Sequence, residues 1–113
     1  MLADLGAKVY AVGLDADQMN VPSTLDIHPV ELNVADEEKV ASFFESLDQL
    51  DILINGAAAS FPNEYDFGEF KKVMDINANA VFHFCTLAHP LLVQSDIASI
   101  INISSLNSVL LQT

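Results

Sequence analysis

Short apolar runs alternate along the chain with stretches in which apolar residues recur at helical spacing. The runs lie at residues 8–12, 29–32, 51–54 and 98–103, and each is followed by Gly, Asn or Ser. Short runs that stop at turn-forming residues are typical of buried β-strands. Strands that alternate with helices predict parallel βαβ units, and the pattern therefore indicates an α/β fold.

Three segments of the sequence show helical signals. Residues 1–5 fit the last turn of a helix that Gly6 ends as a C-cap. Asp36 is the expected N-cap of a second helix, whose recurring apolar positions are Val40, Phe43, Phe44 and Leu47. The third and longest helix covers residues 67–94, and Pro90 should bend it or end its regular part.

Small polar residues follow the predicted strands. These residues are Gly13, Asn33, Asn55, Ser104 and Ser105. In open α/β sheets, ligands bind at the carboxyl ends of the strands, so these positions are candidates for a binding site. The same residue types also make turns, and each position taken singly fits a turn as well.

Asn77 is the polar exception on the apolar stripe of the long helix. It lies four residues from both Val73 and Val81, which predicts that its side chain is buried with theirs. A buried amide without a partner costs about 1–3 kcal/mol. Asn77 therefore either bonds to the backbone of a neighbouring loop or orders a water molecule or a catalytic side chain.

Composition and charge exclude several classes of protein. The chain has 113 residues, 16 acidic and 4 basic, with no arginine and a net charge of −12. This size allows one domain at most. So few cations cannot neutralise a nucleic-acid backbone or dock on an anionic membrane, and no apolar run reaches the ~18 residues of a membrane helix.

The cysteine and histidine residues predict neither a disulfide nor a metal site. Cys85 is the single cysteine, which fits packing inside a protein of a reducing compartment, and no basic leader precedes the first strand. We expect a cytoplasmic location. The histidines are His28, His83 and His89. The last two are six positions apart, about 240° around a helix, and do not face one metal.

Three motifs together resemble the middle of a short-chain dehydrogenase/reductase. They are Asp-Ile-Leu-Ile-Asn-Gly-Ala-Ala at 51–58, Val-Met-Asp-Ile-Asn-Ala-Asn-Ala-Val-Phe at 73–82 and Ser-Ile-Ile-Asn-Ile-Ser-Ser at 99–105. Each motif alone is short, but the three occur in the family's order and with its spacing. The resemblance covers the whole chain, including residues 6–9 and 33–36.

The resemblance implies a Rossmann-type, doubly wound parallel sheet that binds NAD or NADP. Family members interconvert alcohols and carbonyls by hydride transfer. By this resemblance residues 1–113 are a partial NAD(P)-binding Rossmann domain, truncated at both ends and lacking the first strand and the C-terminal part. The doubly wound order places that first strand between residues 9–12 and 52–54. We expect those two strand edges to close up, to accept another chain's strand or to remain disordered.

The resemblance also implies roles for individual residues. Ser105 corresponds to the catalytic serine that hydrogen-bonds the substrate oxygen, and Asn77 to the asparagine that holds a water in the proton relay. Asn55, Gly56 and Ala57 begin the counterpart of the family's Asn-Asn-Ala-Gly turn beside the adenosine half of the cofactor. Here that turn has the sequence Asn-Gly-Ala-Ala.

Four further positions bear on the choice of cofactor. Asn33, followed by Val34, stands where the family usually has an aspartate that touches the adenine, and it lacks that charge. Gly13 and Asp15 follow the strand whose end usually selects the cofactor. NAD enzymes tend to have an acidic residue there, and NADP enzymes a basic one. Asp15, with no Arg or Lys nearby, favours NAD. A basic residue from outside the chain would reverse this preference.

Two elements of the family's active site do not occur in the sequence. The four glycines, at positions 6, 13, 56 and 68, form no Gly-x-Gly-x-x-Gly turn for a pyrophosphate. Neither Tyr10 nor Tyr65 is followed four residues later by the lysine of the family's Tyr-x-x-x-Lys pair. In that pair the tyrosine is the general acid/base and the lysine lowers its pKa.

Two functions therefore remain open. The first is a fragment of an NAD(P)-dependent oxidoreductase that acts on a small alcohol or carbonyl. This chain would be inactive alone, and its parent would be a homo-oligomer through helix 67–94. The second is a non-catalytic Rossmann-like remnant that acts only by association with a partner chain.

Overall fold

The computed structural model describes residues 1–57, 63 and 65–103. Its strands and α-helices are β1 (Val9–Gly13), β2 (Ile27–Glu31), α1 (Glu37–Glu45), β3 (Ile52–Asn55), α2 (Phe67–Met74), α3 (Ala80–Leu92) and β4 (Ser99–Asn102). Single 3₁₀ turns occur at Ala3–Leu5 and Ala16–Gln18, and a π-helical turn at Asp75–Asn79 joins α2 to α3. The predicted alternation of strands and helices is confirmed.

The strands form two parallel pairs. β1 pairs with β2, with Val9 opposite Ile27, and β3 pairs with β4, with Ile52 opposite Ser99. Within the described residues, β1 and β3 do not hydrogen-bond to each other. β1 and β2 form a strand–loop–strand unit of a doubly wound sheet, and β3 and β4 form a βαβ unit.

Local capping explains where several of these elements begin and end. Gly6 closes the first 3₁₀ turn with φ at 94°, a left-handed conformation that glycine adopts without a steric penalty. The Asp36 carboxylate accepts a hydrogen bond from Lys39 N at 3.2 Å, so its predicted N-cap role is confirmed. Asp66 caps α2 in the same way, accepting from Glu69 N at 3.0 Å.

The prediction of one regular helix over residues 67–94 with Asn77 buried is wrong. The π-turn inserts extra chain between α2 and α3, and Asn77 lies in the middle of that turn with its side chain exposed. An inserted residue rotates the following helix by about 100°, which removes Asn77 from the stripe that Val73 and Val81 would share in a regular helix. Pro90 lies in the last turn of α3.

One apolar core joins the helices to both strand pairs. Its buried members are Leu32, Val40, Phe44, Leu53, Phe84, Ala88 and Leu92. The rings of Phe44 in α1 and Phe84 in α3 meet edge to face with their centroids 5.4 Å apart. Phe43 meets Tyr10 of β1 in a similar geometry at 5.7 Å. Aromatic contacts therefore connect β1 to α1 and α1 to α3, and the apolar core connects α3 to Leu53 of β3.

An open cleft of about 1190 Å³ lies between the two strand pairs. Its walls include residues 9–12 of β1 and 52–55 of β3, and its floor includes side chains of α1 and α3. The sequence predicted that these two strand edges would pair with each other, accept another chain's strand or be disordered. The first outcome is wrong, because β1 and β3 are both formed and do not hydrogen-bond to each other.

We expect Leu53→Ala to lower the free energy of unfolding by about 3 kcal/mol, because Leu53 is buried in the core and its loss leaves a cavity. Leu14→Ala is the matched control, since that side chain is 61% exposed, and should change stability by less than about 0.5 kcal/mol. Urea denaturation followed by circular dichroism measures both. Equal losses would contradict the described core.

Candidate functional site

Two asparagine side chains meet at the carboxyl end of the β3–β4 pair. Asn55 and Asn102 are opposite each other in the register, and Asn55 Nδ2 donates to Asn102 Oδ1 at 2.8 Å. The same Asn55 Nδ2 lies 3.6 Å from Cys85 Sγ of α3. Asn55 is therefore held in one orientation by two neighbouring elements, as a residue that positions a ligand requires.

Sequence reasoning did not single out Asn102. The residue lies within the apolar run 98–103, which predicts a strand and gives Asn102 no separate role. The sequence carries no signal for this pair, because the apolar run extends to residue 103 and the pairing of Asn55 with Asn102 depends on the register of β3 and β4.

Residues after β3 and after β2 reach the cleft together. Asn55, Gly56 and Ala57 all line it, as does Val34. Position 56 has room for a small side chain, because its Cβ would lie 3.6 Å from Ile103 Cγ1, an ordinary van der Waals distance. The structure thus brings four of the predicted cofactor residues to one cleft.

The other predicted cofactor residues surround the carboxyl end of β1 and β2. Gly13 O accepts a hydrogen bond from Leu32 N at 3.0 Å, which extends the pairing past the strand. Asn33 Oδ1 accepts from Ala35 N at 2.9 Å and so forms a turn. Asp15 is exposed before the short 3₁₀ turn, with its side chain at the solvent edge. Gly13, Asp15 and Asn33 are not among the described residues that line the cleft.

Glu31 is a second residue that sequence reasoning missed. Its Oε1 accepts a hydrogen bond from Ala16 N at 3.1 Å and so ties the loop after β1 to the end of β2. Asp15 precedes this anchored position directly. The sequence feature that could have identified Glu31 is a carboxylate in the last position of a predicted strand, because the backbone N–H groups of a neighbouring loop need acceptors.

The π-turn gives Asn77 a distinctive place although it is exposed. Asn79 Nδ2 donates to Asp75 Oδ1 at 2.9 Å across this turn, and Ile76, Ala80 and Val81 around it line the cleft. Single π-turns inside α-helices occur frequently at functional sites. Ser105, the predicted catalytic serine, lies outside the described residues.

The four lysines of the sequence each lie close to a partner on or next to their own element. Their partners are the Tyr10 ring for Lys8, Asp36 for Lys39, the Phe67 ring for Lys71 and Glu69 for Lys72. A hydrogen bond with the Tyr10 side chain raises the pKa of Lys8 above its ordinary value. Among the described residues, none of the four lysines lies at the carboxyl edge as an unpaired cation for a phosphate.

The residues present fit one part of a dinucleotide. An exposed carboxylate at Asp15 suits ribose hydroxyls, and the half-buried Asn55 and Val34 suit the neighbourhood of an adenosine. The sequence offers no glycine-rich turn and no arginine for the pyrophosphate.

A family model described as short chain dehydrogenase matches residues 1–112. The chain belongs to the short-chain dehydrogenase family. The predicted doubly wound parallel sheet is thereby confirmed together with the family, and Asn55, Asn77 and Ser105 all fall inside the matched segment.

Two curated relatives of this chain come from the plant Arabidopsis thaliana. Senescence-associated protein 13 of Arabidopsis thaliana is 33% identical over 120 aligned residues, which cover 92% of this chain and 44% of the relative. A chloroplastic tropinone reductase homolog from the same plant is 40% identical over 73 residues, covering 62% of this chain and 22% of the relative. The chain spans less than half the length of either relative.

Solved structures share the fold. RhlG of Pseudomonas aeruginosa, determined as an NADP active-site complex, has a TM-score of 0.84 at 26% identity, covering 99% of this chain and 50% of that one. A Burkholderia xenovorans protein described as a short-chain dehydrogenase/reductase has a TM-score of 0.86 at 23% identity, covering 97% and 49%. Both strand pairs therefore keep the relative placement that they have in longer family structures.

Two searches of the described residues concern metals and membranes. No three or more His, Cys, Asp or Glu side chains come together there in a group that could hold a metal ion. Within the same residues, every helix is too short or too polar to cross a bilayer.

A double-mutant cycle tests the asparagine pair. We expect Asn55→Ala and Asn102→Ala to be non-additive by about 1 kcal/mol in the free energy of unfolding, because they remove the same hydrogen bond. Asn55→Ala combined with Asn79→Ala is the control, since Asn79 bonds to Asp75 instead. Additive losses for the first pair would show that the two amides are not coupled.

Proposed function

We propose that this chain supplies part of the cofactor and substrate site of an NAD(P)-dependent oxidoreductase that interconverts a small alcohol and a carbonyl. The observation that carries the proposal is the Asn55–Asn102 pair, fixed at the carboxyl edge beside the cleft in a chain that belongs to the short-chain dehydrogenase family. Ligands of open α/β sheets bind at this edge.

The nicotinamide cofactor would supply the hydride acceptor or donor. Asn33, Val34 and Asn55 would lie along its adenosine half, and Asp15 would accept hydrogen bonds from ribose hydroxyls. Asp15 and the absence of arginine from the sequence support NAD over NADP. RhlG, the structural neighbour at 26% identity, was solved with NADP, so the cofactor has to be decided by assay.

Ser105 and Asn77 would act on the reacting groups. The Ser105 hydroxyl would donate a hydrogen bond to the substrate oxygen and so stabilise the charge that develops there. Asn77, in the π-turn beside the cleft, would hold a water that carries protons to and from the site.

The chain alone should not transfer hydride. Within residues 1–113 no tyrosine is followed four residues later by lysine, and no glycine-rich turn is present for a pyrophosphate. The relatives it matches are more than twice as long. Proton transfer and pyrophosphate binding would therefore depend on polypeptide beyond these residues.

Association of the complete enzyme would use the segment from α2 to α3. Three of its exposed apolar side chains are Phe67, Phe70 and Phe82, with exposed fractions of 70%, 49% and 73%. A contiguous exposed apolar patch marks a protein interface, and Phe67 and Phe70, three residues apart on α2, would form part of one.

With Cys85 as the single cysteine, a reducing compartment such as the cytoplasm is the location that we propose.

A chimera tests the proposed catalytic role of Ser105. Residues 1–113 replace the matching segment of the Arabidopsis senescence-associated protein 13, and oxidation of NADH or NADPH is followed with a panel of small ketones. We expect Ser105→Ala to lower turnover by about a hundredfold, because it removes one donor to the reacting oxygen. Ser104→Ala is the matched control and should have a much smaller effect, because the family resemblance assigns the substrate contact to Ser105 alone.

Three results would contradict the proposal. One is a folded chimera without turnover, and another is an equal or larger loss for Ser104→Ala. The third comes from the 113-residue chain alone, in which nicotinamide turnover or micromolar binding of NAD by titration calorimetry would show that the absent motifs are not required.

A further inference from the structure

Asn55 is followed directly by Gly56, and no other asparagine of the sequence precedes a glycine. The remaining asparagines are followed by Val, Glu, Ala, Ile or Ser. Glycine has no Cβ, so its backbone nitrogen can come closer to the side chain of the preceding residue than the nitrogen of any other residue can. Position 56 corresponds to the second asparagine of the family's Asn-Asn-Ala-Gly turn, so the Asn-Gly sequence is a departure of this chain from that pattern.

The backbone nitrogen of Gly56 lies outside the hydrogen-bonded ladder of β3 and β4. Asp51 O accepts from Ser99 N at 2.9 Å, and Asn55 O accepts from Ile103 N at 3.0 Å. Because successive residues of a strand direct their backbone groups to opposite sides, Gly56 directs its N–H away from β4. Gly56 is exposed, and no described residue accepts a hydrogen bond from it. Solvent therefore has access to this N–H.

The side chain of Asn55 is restrained where the nitrogen of Gly56 is not. Its Nδ2 donates to Asn102 Oδ1 at 2.8 Å and lies 3.6 Å from Cys85 Sγ. For Asn55 Cγ to reach the Gly56 nitrogen, the side chain must leave both contacts and the last residue of β3 must leave its extended conformation. Opening of a strand end is a local event that costs less than global unfolding.

We propose that the bond between Asn55 and Gly56 is a site of spontaneous covalent modification, at which Asn55 is converted to aspartate and isoaspartate. The hydrogen bond from Asn55 to Asn102 limits the rate, because it holds the amide away from the attacking nitrogen. The site combines an exposed nucleophile without a Cβ and an electrophilic amide on the preceding residue.

The reaction needs no reagent other than water. The Gly56 nitrogen loses its proton to a base in solution and attacks Asn55 Cγ, and Nδ2 leaves as ammonia, which closes a cyclic imide. Water then adds to one of the two imide carbonyl groups. Cleavage of the bond from Cγ to the nitrogen gives aspartate, and cleavage of the bond from the Asn55 backbone carbonyl carbon to the nitrogen gives isoaspartate. In sum, an amide and a water become a carboxylic acid and ammonia, without oxidation or reduction.

Either product changes the carboxyl end of β3. A carboxylate at position 55 cannot donate to Asn102 Oδ1, so this hydrogen bond is lost unless the Asn102 amide turns to offer its own N–H. The product also adds a negative charge to a chain whose net charge is −12. Isoaspartate further inserts a methylene into the main chain and so displaces Gly56 and Ala57, which line the cleft.

Incubation of the 113-residue chain at slightly alkaline pH, followed by peptide mass spectrometry, tests this assignment. Tryptic cleavage after Lys39 and Lys71 yields the peptide 40–71, which contains Asn55 and also Asn63 as an internal reference. We expect conversion at Asn55 to be at least about threefold faster than at Asn63. Part of the product should be isoaspartate, detected by enzymatic methylation, and the rate should rise with pH because the attacking nitrogen must lose its proton.

Four variants separate the chemistry from the fold. Gly56→Ala has room for its methyl group, with Cβ 3.6 Å from Ile103 Cγ1, and should lower the rate at least about tenfold because the methyl hinders the attack. Asn102→Ala releases the Asn55 amide and should raise the rate about fivefold, the equivalent of one hydrogen bond. Asn102→Asp keeps an acceptor oxygen and should restore the rate of the parent chain. Asn79→Ala, whose amide bonds within the π-turn, is the matched control and should leave the rate unchanged.

Three outcomes would overturn the assignment. They are conversion at Asn55 no faster than at Asn63, conversion that Gly56→Ala does not slow, and equal rates in Asn102→Ala and the parent chain. Asn63 also controls for unfolding: if Asn102→Ala accelerated both asparagines equally, the hydrogen bond would not be the limiting contact. None of these measurements depends on nicotinamide chemistry, so the result is separate from that of the oxidoreductase test.

Discussion

The edge-to-face contact between Phe44 of α1 and Phe84 of α3 is the interaction on which the rest of the structure depends. Helix α1 lies against β1 through Phe43 and Tyr10, and α3 lies against β3 through the core that includes Leu53. No direct strand pairing joins the two halves of the described sheet. The two helices therefore set the distance between β1 and β3, and the cleft is a consequence of that spacing.

Much of the fold could be predicted from the sequence because the apolar runs are short and end at Gly, Asn or Ser, while Asp36 marks a helix start. The position of Asn77 could not be predicted from the sequence. Residues 75–79 contain no proline or glycine and are compatible with a regular α-helix, so no residue in this segment predicts the π-turn. Asn102 was missed for a related reason: its partnership with Asn55 depends on strand register, which only the assembled sheet establishes.

The strand order of the family's fold explains why a cleft separates β1 from β3. In the doubly wound order the first strand lies between the second and the fourth, and β1 and β3 correspond to those two strands. Val34 after β2 and Asn55, Gly56 and Ala57 at the end of β3 line this cleft, whereas Gly13, Asp15 and Asn33 are not among the described residues that do.

Amide hydrogen exchange of the free chain, measured residue by residue by NMR, tests the central claim that β1 and β3 are formed but unpaired toward each other. The account predicts an alternating pattern in which Val9 and Ala11 exchange slowly because they bond to β2, while Tyr10 and Val12 exchange fast. In β3, Leu53 should be slow and Ile54 fast. Uniform slow exchange along both strands would show that the two edges are paired and would contradict the open cleft.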